Sequence, residues 1–220
     1  MYNWIVKGST LENYLQACTD AVNNITSFKQ DERLRPIFEH CPKEIADQYY
    51  TRIPDDMLKR GWTNDFYGTP VMHRYGQQRY STSTLQYIGV LSNLINHFGP
   101  LDDMRIVEIG AGYGGQCRTV LDMFEPECYH IIDLPEVVKL QSKYCAAECY
   151  TEPTGQSYDL VISNYALSEV INNKSYIDQV LRKSKHGYIT CNTDLVQLDW
   201  PHERIPDIAG ERETNYILIW

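Results

Sequence analysis

The chain has 220 residues, 29 acidic against 20 basic side chains, a net charge of −9 and a pI near 5.1. That balance argues against a nucleic-acid partner, because such binders carry a basic footprint. No apolar run approaches the ~18 residues of a membrane helix, and the N-terminus lacks a charged stretch followed by an apolar one. A cytoplasmic chain with no membrane association is therefore expected. Seven cysteines, an odd number with no CxxC pair, fit reduced thiols. Seventeen tyrosines against five Phe and four Trp are unusual; a tyrosine offers a flat apolar face with a polar tip, suited to ring-shaped polar ligands as well as to core edges.

In chain order, Ser9 with Glu12 forms a capping box, and Leu11, Tyr14, Leu15, Cys18, Val22 and Ile25 recur at helical spacing, predicting a helix to about residue 28. Residues 29–36 read as a polar stretch. Short helices are predicted at 42–52 and 54–60, the second stopped by Gly61. Residues 61–80 combine Gly, Pro and aromatics without a period and read as an ordered loop. A helix over 81–98 places Leu85, Ile88, Leu91, Leu94, Ile95 and Phe98 on one face, and Gly99-Pro100 ends it.

From residue 104 short apolar runs alternate with helical segments. Strands are predicted at 105–109, 129–132, 158–163, 187–191 and 216–220, with a poorly marked one near 149–151; helices fall at 115–124, 135–147 and 175–183. Continuous apolar runs separated by helices are what a parallel sheet covered on both faces requires. The expected fold is a doubly wound, Rossmann-like α/β sheet over residues 101–220, preceded by an N-terminal helical cap or lid over 1–100.

The strongest chemical signal is Val107-Glu108-Ile109-Gly110-Ala111-Gly112-Tyr113-Gly114-Gly115, an apolar strand running into a glycine-rich turn that opens a helix. Glycines let the backbone turn sharply and approach a ligand, and the helix N-terminus offers free N–H groups. Gly110, Gly112 and Gly115 also satisfy the dinucleotide pattern GxGxxG, so the glycines alone leave NAD open. The next strand ends at Asp133, about 20 residues past Gly110, where a carboxylate can accept both hydroxyls of a ribose. It can equally cap the helix that starts at Pro135. Asn164 and Tyr165 follow the 158–163 strand, and Asn192 and Asp194 follow the 187–191 strand; both pairs fall at the carboxyl edge of the sheet, where open α/β folds bind ligands.

Glu108, Gly110, Gly112 and Gly114 fill the acidic-x-Gly-x-Gly-x-Gly pattern, and the chain resembles class I S-adenosylmethionine (SAM)-dependent methyltransferases on it. Asp133-Leu134-Pro135 resembles the second motif of small-molecule O-methyltransferases. Residues 79–88, 108–116, 131–140, 164–169, 187–192 and 215–220 resemble a family of bacterial and viral sugar O-methyltransferases, over about 62–220; the first 60 residues match nothing. The resemblance implies methyl transfer from SAM to a hydroxyl of a sugar, nucleotide-linked or in a glycan such as one carrying a deoxyhexose, with S-adenosylhomocysteine (SAH) as product.

The resemblance implies cofactor contacts from Glu108, Gly110, Ala111, Gly112, Tyr113, Gly114, Gln116, Asp133, Leu134 and Asn164. In plant-type small-molecule O-methyltransferases a His takes the acceptor proton; here Ser168 stands at that position with Glu169 beside it, so the base candidates are Glu169, then His202, Asp194 and His73. Arg79, Tyr80, Tyr165 and Asn192 are the acceptor-site candidates. A divalent metal near Asp194, as in catechol-type methyltransferases, is not favoured, because no compact acidic cluster accompanies it. The expected partners are the sugar or glycan acceptor, and a neighbouring glycosyltransferase domain or a second copy of the chain. Two rivals stand beside this reading. An NAD-dependent sugar-nucleotide oxidoreductase would want a Tyr-x-x-x-Lys pair, and Tyr144 has no Lys four residues on. A catalytically silent SAM-fold module would have no need for the close backbone approach.

Overall fold

A computed structural model describes residues 10–170, 173–208 and 215–220. The first helix, α1 (Leu11–Asn23), is capped by Thr10, whose Oγ1 accepts the Asn13 N–H at 3.2 Å; Ser9 of the predicted capping box lies outside the described residues. The helix stops short of residue 28 because Asn24 leaves helical geometry and its side chain accepts the Ser27 hydroxyl at 3.0 Å. Phe28 then starts a single 3₁₀ turn. At the end of the stretch read as polar, α2 (Arg35–Phe38) begins, with Pro36 in its first turn and Phe38 in the core. Helices α3 (Lys43–Tyr50) and α4 (Asp55–Arg60) lie where expected.

Residues 61–80 are not a loop. A 3₁₀ segment, Gly61–Phe66, leads to an antiparallel hairpin of β1 (Met72–Tyr75) and β2 (Gln78–Ser81). Its two-residue turn has Gly76 at φ 60°, which glycine accepts at its first central position. Helix α5 (Thr82–Phe98) begins where the Ser81 Oγ accepts the Thr84 N–H at 3.1 Å and ends at Gly99, φ 82°.

The second half alternates as predicted: β3 (Arg105–Ile109), α6 (Gly115–Leu121), β4 (Cys128–Ile132), α7 (Pro135–Tyr144), β5 (Glu148–Tyr150), β6 (Tyr158–Asn164), α8 (Lys174–Gln179) and β7 (Ser184–Cys191), then β8 (Glu203–Pro206) and β9 (Tyr216–Ile219). The seven-stranded sheet has the order β5-β4-β3-β6-β7-β9-β8. Its first five strands are parallel, and β9 runs antiparallel to both β7 and β8. This is the expected doubly wound α/β fold. The strand β8 is additional: a short exposed edge strand ending in proline has no apolar run to announce it.

Strand period 2 sorts the core onto two faces. Ile106, Ile131, Leu160 and Ile162 bury one face together with residues of α1–α7 and the hairpin. Val107, Ile109, Ile132, Val161 and Ile189 bury the other against Tyr176 of α8 and Val180. The N-terminal helices thus share a core with the sheet, α1 packing on α7 and α3 on α5. The chain order reverses at β3, between β4 and β6, and the crevice at the carboxyl ends of these strands is the switch-point position. Among the described residues no helix is long and apolar enough to cross a membrane.

Candidate active site

Strand β3 delivers the chain to this crevice at Gly110, and the turn is built from glycines at φ 71° (Gly110), 56° (Gly112) and 95° (Gly114). At Gly114 the requirement is also spatial, since a Cβ there would stand 2.8 Å from the Cys145 Sγ. The loop is tied to β4 by the Gly110 N–H, which donates to the Ile132 carbonyl at 2.9 Å.

Asp133 leaves the end of β4 and turns under the same loop. Its Oδ1 accepts the Leu134 N–H at 2.8 Å and its Oδ2 accepts the Gln141 amide at 2.7 Å, and the nearby backbone N–H groups of Ala111 and Gly112 help to lower its pKa. That Gln141 amide donates in addition to the Gly112 carbonyl at 2.8 Å. Asp133 is buried, which pushes its carboxyl up to about 7 against the opposing pull of these bonds. Leu134 stands at the N-cap of α7, so Asp133 serves the helix start and the loop together.

Glu108 points into the core on the same face as Ile106, buried, with the Tyr129 hydroxyl donating to it at 2.8 Å. Burial raises it to about 8, so it is largely protonated at neutral pH. Tyr113 contributes loop backbone, while its ring is fully buried between Phe28, Phe38 and Tyr144 at centroid distances of 5.3, 5.1 and 5.0 Å. Gln116 donates to the Tyr87 carbonyl at 3.2 Å.

Across the crevice, Asn164 ends β6 and its Oδ1 accepts the Thr190 hydroxyl at 3.3 Å. Tyr165 follows at φ 66°, a left-handed conformation unusual for a bulky side chain and found where surrounding contacts enforce it. The enforcing contacts are present. The Tyr165 hydroxyl donates to Asp207, its N–H to the Thr190 carbonyl at 2.9 Å, and the Ser168 hydroxyl to its carbonyl at 2.6 Å. Ser168 also bonds the Asn192 Oδ1 at 2.8 Å, and the Asn192 Nδ2 donates to the Glu169 Oε1 at 3.1 Å. Ser168 itself is fully buried and ties the two loops together.

The structure therefore brings together Tyr165, Glu169 and Asn192 through Ser168, with Asn164 beside them at the carboxyl end of β6. The other candidates have other surroundings. Asp194 is 72% exposed and paired with Arg204 at 3.4 Å; His202 is exposed, its Nδ1 2.8 Å from the Trp200 carbonyl. Both lie on the segment between β7 and β8. His73 sits on β1 opposite Tyr80, with Asp47 of α3 near it. Arg79 is exposed on β2. Tyr80 of β2 is buried in the core, and its hydroxyl donates to the Leu58 carbonyl at 2.9 Å.

Three contributors carried no sequence signal. Tyr14 of α1 is buried close enough to Asp133 and Glu169 that both carboxylates help hold its hydroxyl above its ordinary pKa, after burial itself. Phe38 lies 3.5 Å from where a Cβ of Gly112 would stand, and the His40 ring meets Tyr165 edge-on at 5.8 Å. The chain from α1 to His40 thus roofs the crevice, and Asp207, after β8, closes its far side through Tyr165. Among the described residues no group of three or more His, Cys, Asp or Glu could hold a metal ion.

No family model and no curated protein matches the chain. Solved structures do. A protein assigned as a sarcosine dimethylglycine methyltransferase from Galdieria sulphuraria is 20% identical over 62% of this chain and 58% of its own, with a TM-score of 0.46. A magnesium protoporphyrin IX methyltransferase from Synechocystis PCC 6803 with bound SAM is 12% identical over 61% and 76%, with a TM-score of 0.45. A coclaurine N-methyltransferase bound to N-methylheliamine and SAH is 11% identical over 83% and 58%, at 0.43. The chain spans less than two thirds of the first and third of these proteins. Likenesses this distant carry no argument about substrate, and the fold rests on the sheet itself.

Proposed function

We propose that this chain is a SAM-dependent methyltransferase acting on a hydroxyl of a sugar. The observation that carries the cofactor reading is the joint at Asp133: a buried carboxylate tied through the Gln141 amide to the Gly112 carbonyl of a three-glycine turn at the switch point of the sheet. A carboxylate has about four acceptor positions, so the bonds from Leu134 and Gln141 leave room for ribose hydroxyls. The Gln116 Oε1, the Gln141 Oε1 and the Asn164 Nδ2 are buried without a hydrogen-bond partner among the described residues. Buried polar atoms are costly when unpaired, and a nucleoside with an amino acid end brings the donors and acceptors they lack. These residues fit SAM. The backbone of Gly110–Gly114, Asp133 and Asn164 would hold it, and when bound it supplies an electrophilic methyl group on a sulfonium.

The chain's own task is positioning and proton removal. Holding an acceptor hydroxyl about 3 Å from the methyl carbon, in line with the departing sulfur, supplies much of the rate. Glu169, oriented by the Asn192 amide, takes the hydroxyl proton in the place of the family's His, while Tyr165 and Asn192 orient the acceptor. Glu169 is the base favoured by placement, since His202, Asp194 and His73 have other neighbours. The sugar reading rests on the resemblance of residues 79–88, 108–116, 131–140, 164–169, 187–192 and 215–220. It is tested by incubating the protein with methyl-tritiated SAM and a panel of nucleotide sugars and oligosaccharides: label recovered as a sugar methyl ether supports it, and label recovered only on amines, or none, overturns it.

A further inference from the structure

The 3₁₀ segment Gly61–Phe66 is anchored from within and decorated from without. Gly61 packs so closely on α5 that a Cβ would stand 2.6 Å from Ile88. Asn64 is fully buried; its side-chain amide donates to the Thr84 hydroxyl at 2.8 Å and the Tyr113 hydroxyl at 3.1 Å, and its carbonyl accepts from the Lys29 ammonium at 2.8 Å. Asp65 accepts the Ser81 N–H at 2.9 Å and the Thr84 hydroxyl at 2.8 Å. On this fixed support Trp62 and Phe66 are 46% and 62% exposed, their ring centroids 4.6 Å apart. Exposed neighbouring aromatics on a rigid backbone mark a binding surface rather than a scattered apolar residue.

Beside these rings the hairpin adds Met72, Gln78 and Arg79, and together with Asp65 they line a groove of about 420 Å³, within the range of small-molecule sites. We propose that this groove is a saccharide-binding site separate from the crevice. A pyranose has an apolar C–H face, which stacks on an aromatic ring, and a rim of adjacent hydroxyls, which planar carboxylate, guanidinium and amide groups engage in pairs. Trp62 and Phe66 supply the first; Asp65, Arg79 and Gln78 supply the second. One carboxylate and one guanidinium leave the groove locally neutral, and the chain as a whole carries −9, so a neutral sugar ring fits better than a polyanion. Thr63 bonds Asp122 and Arg60 donates to the Met123 carbonyl at 2.8 Å, which places these residues at the C-terminal end of α6, whereas the glycine loop opens its N-terminal end. The site therefore grips part of an extended acceptor away from the reacting hydroxyl.

The choice of ligand class rests on the sugar reading above; the groove is tested independently of it. Fluorescently labelled full-length protein is applied to a printed array of defined oligosaccharides, alongside Trp62→Ala, Phe66→Ala and Trp62→Phe. The wild type and Trp62→Phe are expected to bind a common set of glycans, and each alanine variant to lose roughly tenfold in signal with its melting temperature and calorimetric SAH affinity unchanged. Phe66 is 62% exposed, so its truncation leaves the core intact. No array binding by the wild type, equal binding by the alanine variants, or a dimer that Trp62→Ala dissociates would overturn the proposal. Glycan binding without SAH binding would overturn the methyltransferase reading and leave this one standing.

Discussion

Gln141 of α7 and Asp133, which follows β4, meet at 2.7 Å, and the Gln141 nitrogen that makes this bond also reaches the Gly112 carbonyl at 2.8 Å. One buried amide thus locks the acidic end of β4 to the middle of the glycine turn. Gln141→Leu leaves a buried carboxylate oxygen and a carbonyl without this donor, a cost of about 2–3 kcal/mol. The melting temperature should fall by roughly 5–10 °C, and calorimetric SAH affinity should drop with it. A variant as stable as the wild type would mean that the joint does not organise the loop.

Asp133 titrates near 7 in the free protein because burial disfavours its charge. A ligand whose hydroxyls donate to the carboxylate favours the ionised form, so SAH affinity is expected to rise between pH 6 and pH 8 with release of a proton. Asp133→Asn should weaken binding by about 1–2 kcal/mol and flatten this rise. Titrations in two buffers of different ionisation heat, across that pH range, check it directly.

Glu108 gives stability a pH dependence. Its carboxyl is raised to about 8 by burial and that of Asp133 to about 7, whereas the unfolded chain loses these protons near pH 4. Between about pH 5 and 8 the native state therefore holds more protons than the unfolded state, and stability falls as pH rises. Glu108→Gln keeps an acceptor for the Tyr129 hydroxyl and removes the titration. Its melting curve should depend on pH less than that of the wild type, by about 3 kcal/mol between pH 5 and 8; parallel profiles would count against a neutral Glu108.

Glu169→Gln retains an oxygen for the Asn192 amide but cannot take a proton. Turnover at saturating SAM should fall by about 10² or more, while SAH affinity stays within about threefold. Undiminished turnover would remove Glu169 as the base.

The central strands were legible because buried parallel strands read as continuous apolar runs: β3 occupies the predicted residues 105–109, and β4 and β6 differ by one residue at one end. The glycine turn and Asp133 announced themselves for the same local reason. The hairpin did not, since Met72–Tyr75 and Gln78–Ser81 are short and largely polar. Nor did the roof formed by Tyr14, Phe38 and His40, or the Tyr165–Asp207 bond across 42 positions, because contacts between distant segments leave no periodicity in either. Ser168 shows a subtler limit: its place beside Glu169 is read from the pattern, but only the fold shows that its hydroxyl ties the loop after β6 to the loop after β7.

The most direct test is calorimetric titration of the purified protein with SAH, run beside the same titration with NAD. One equivalent of SAH binding at low micromolar affinity, with no heat from NAD, is the expected result. Binding of NAD alone would assign the glycine turn and Asp133 to a dinucleotide, and binding of neither would contradict an active methyltransferase.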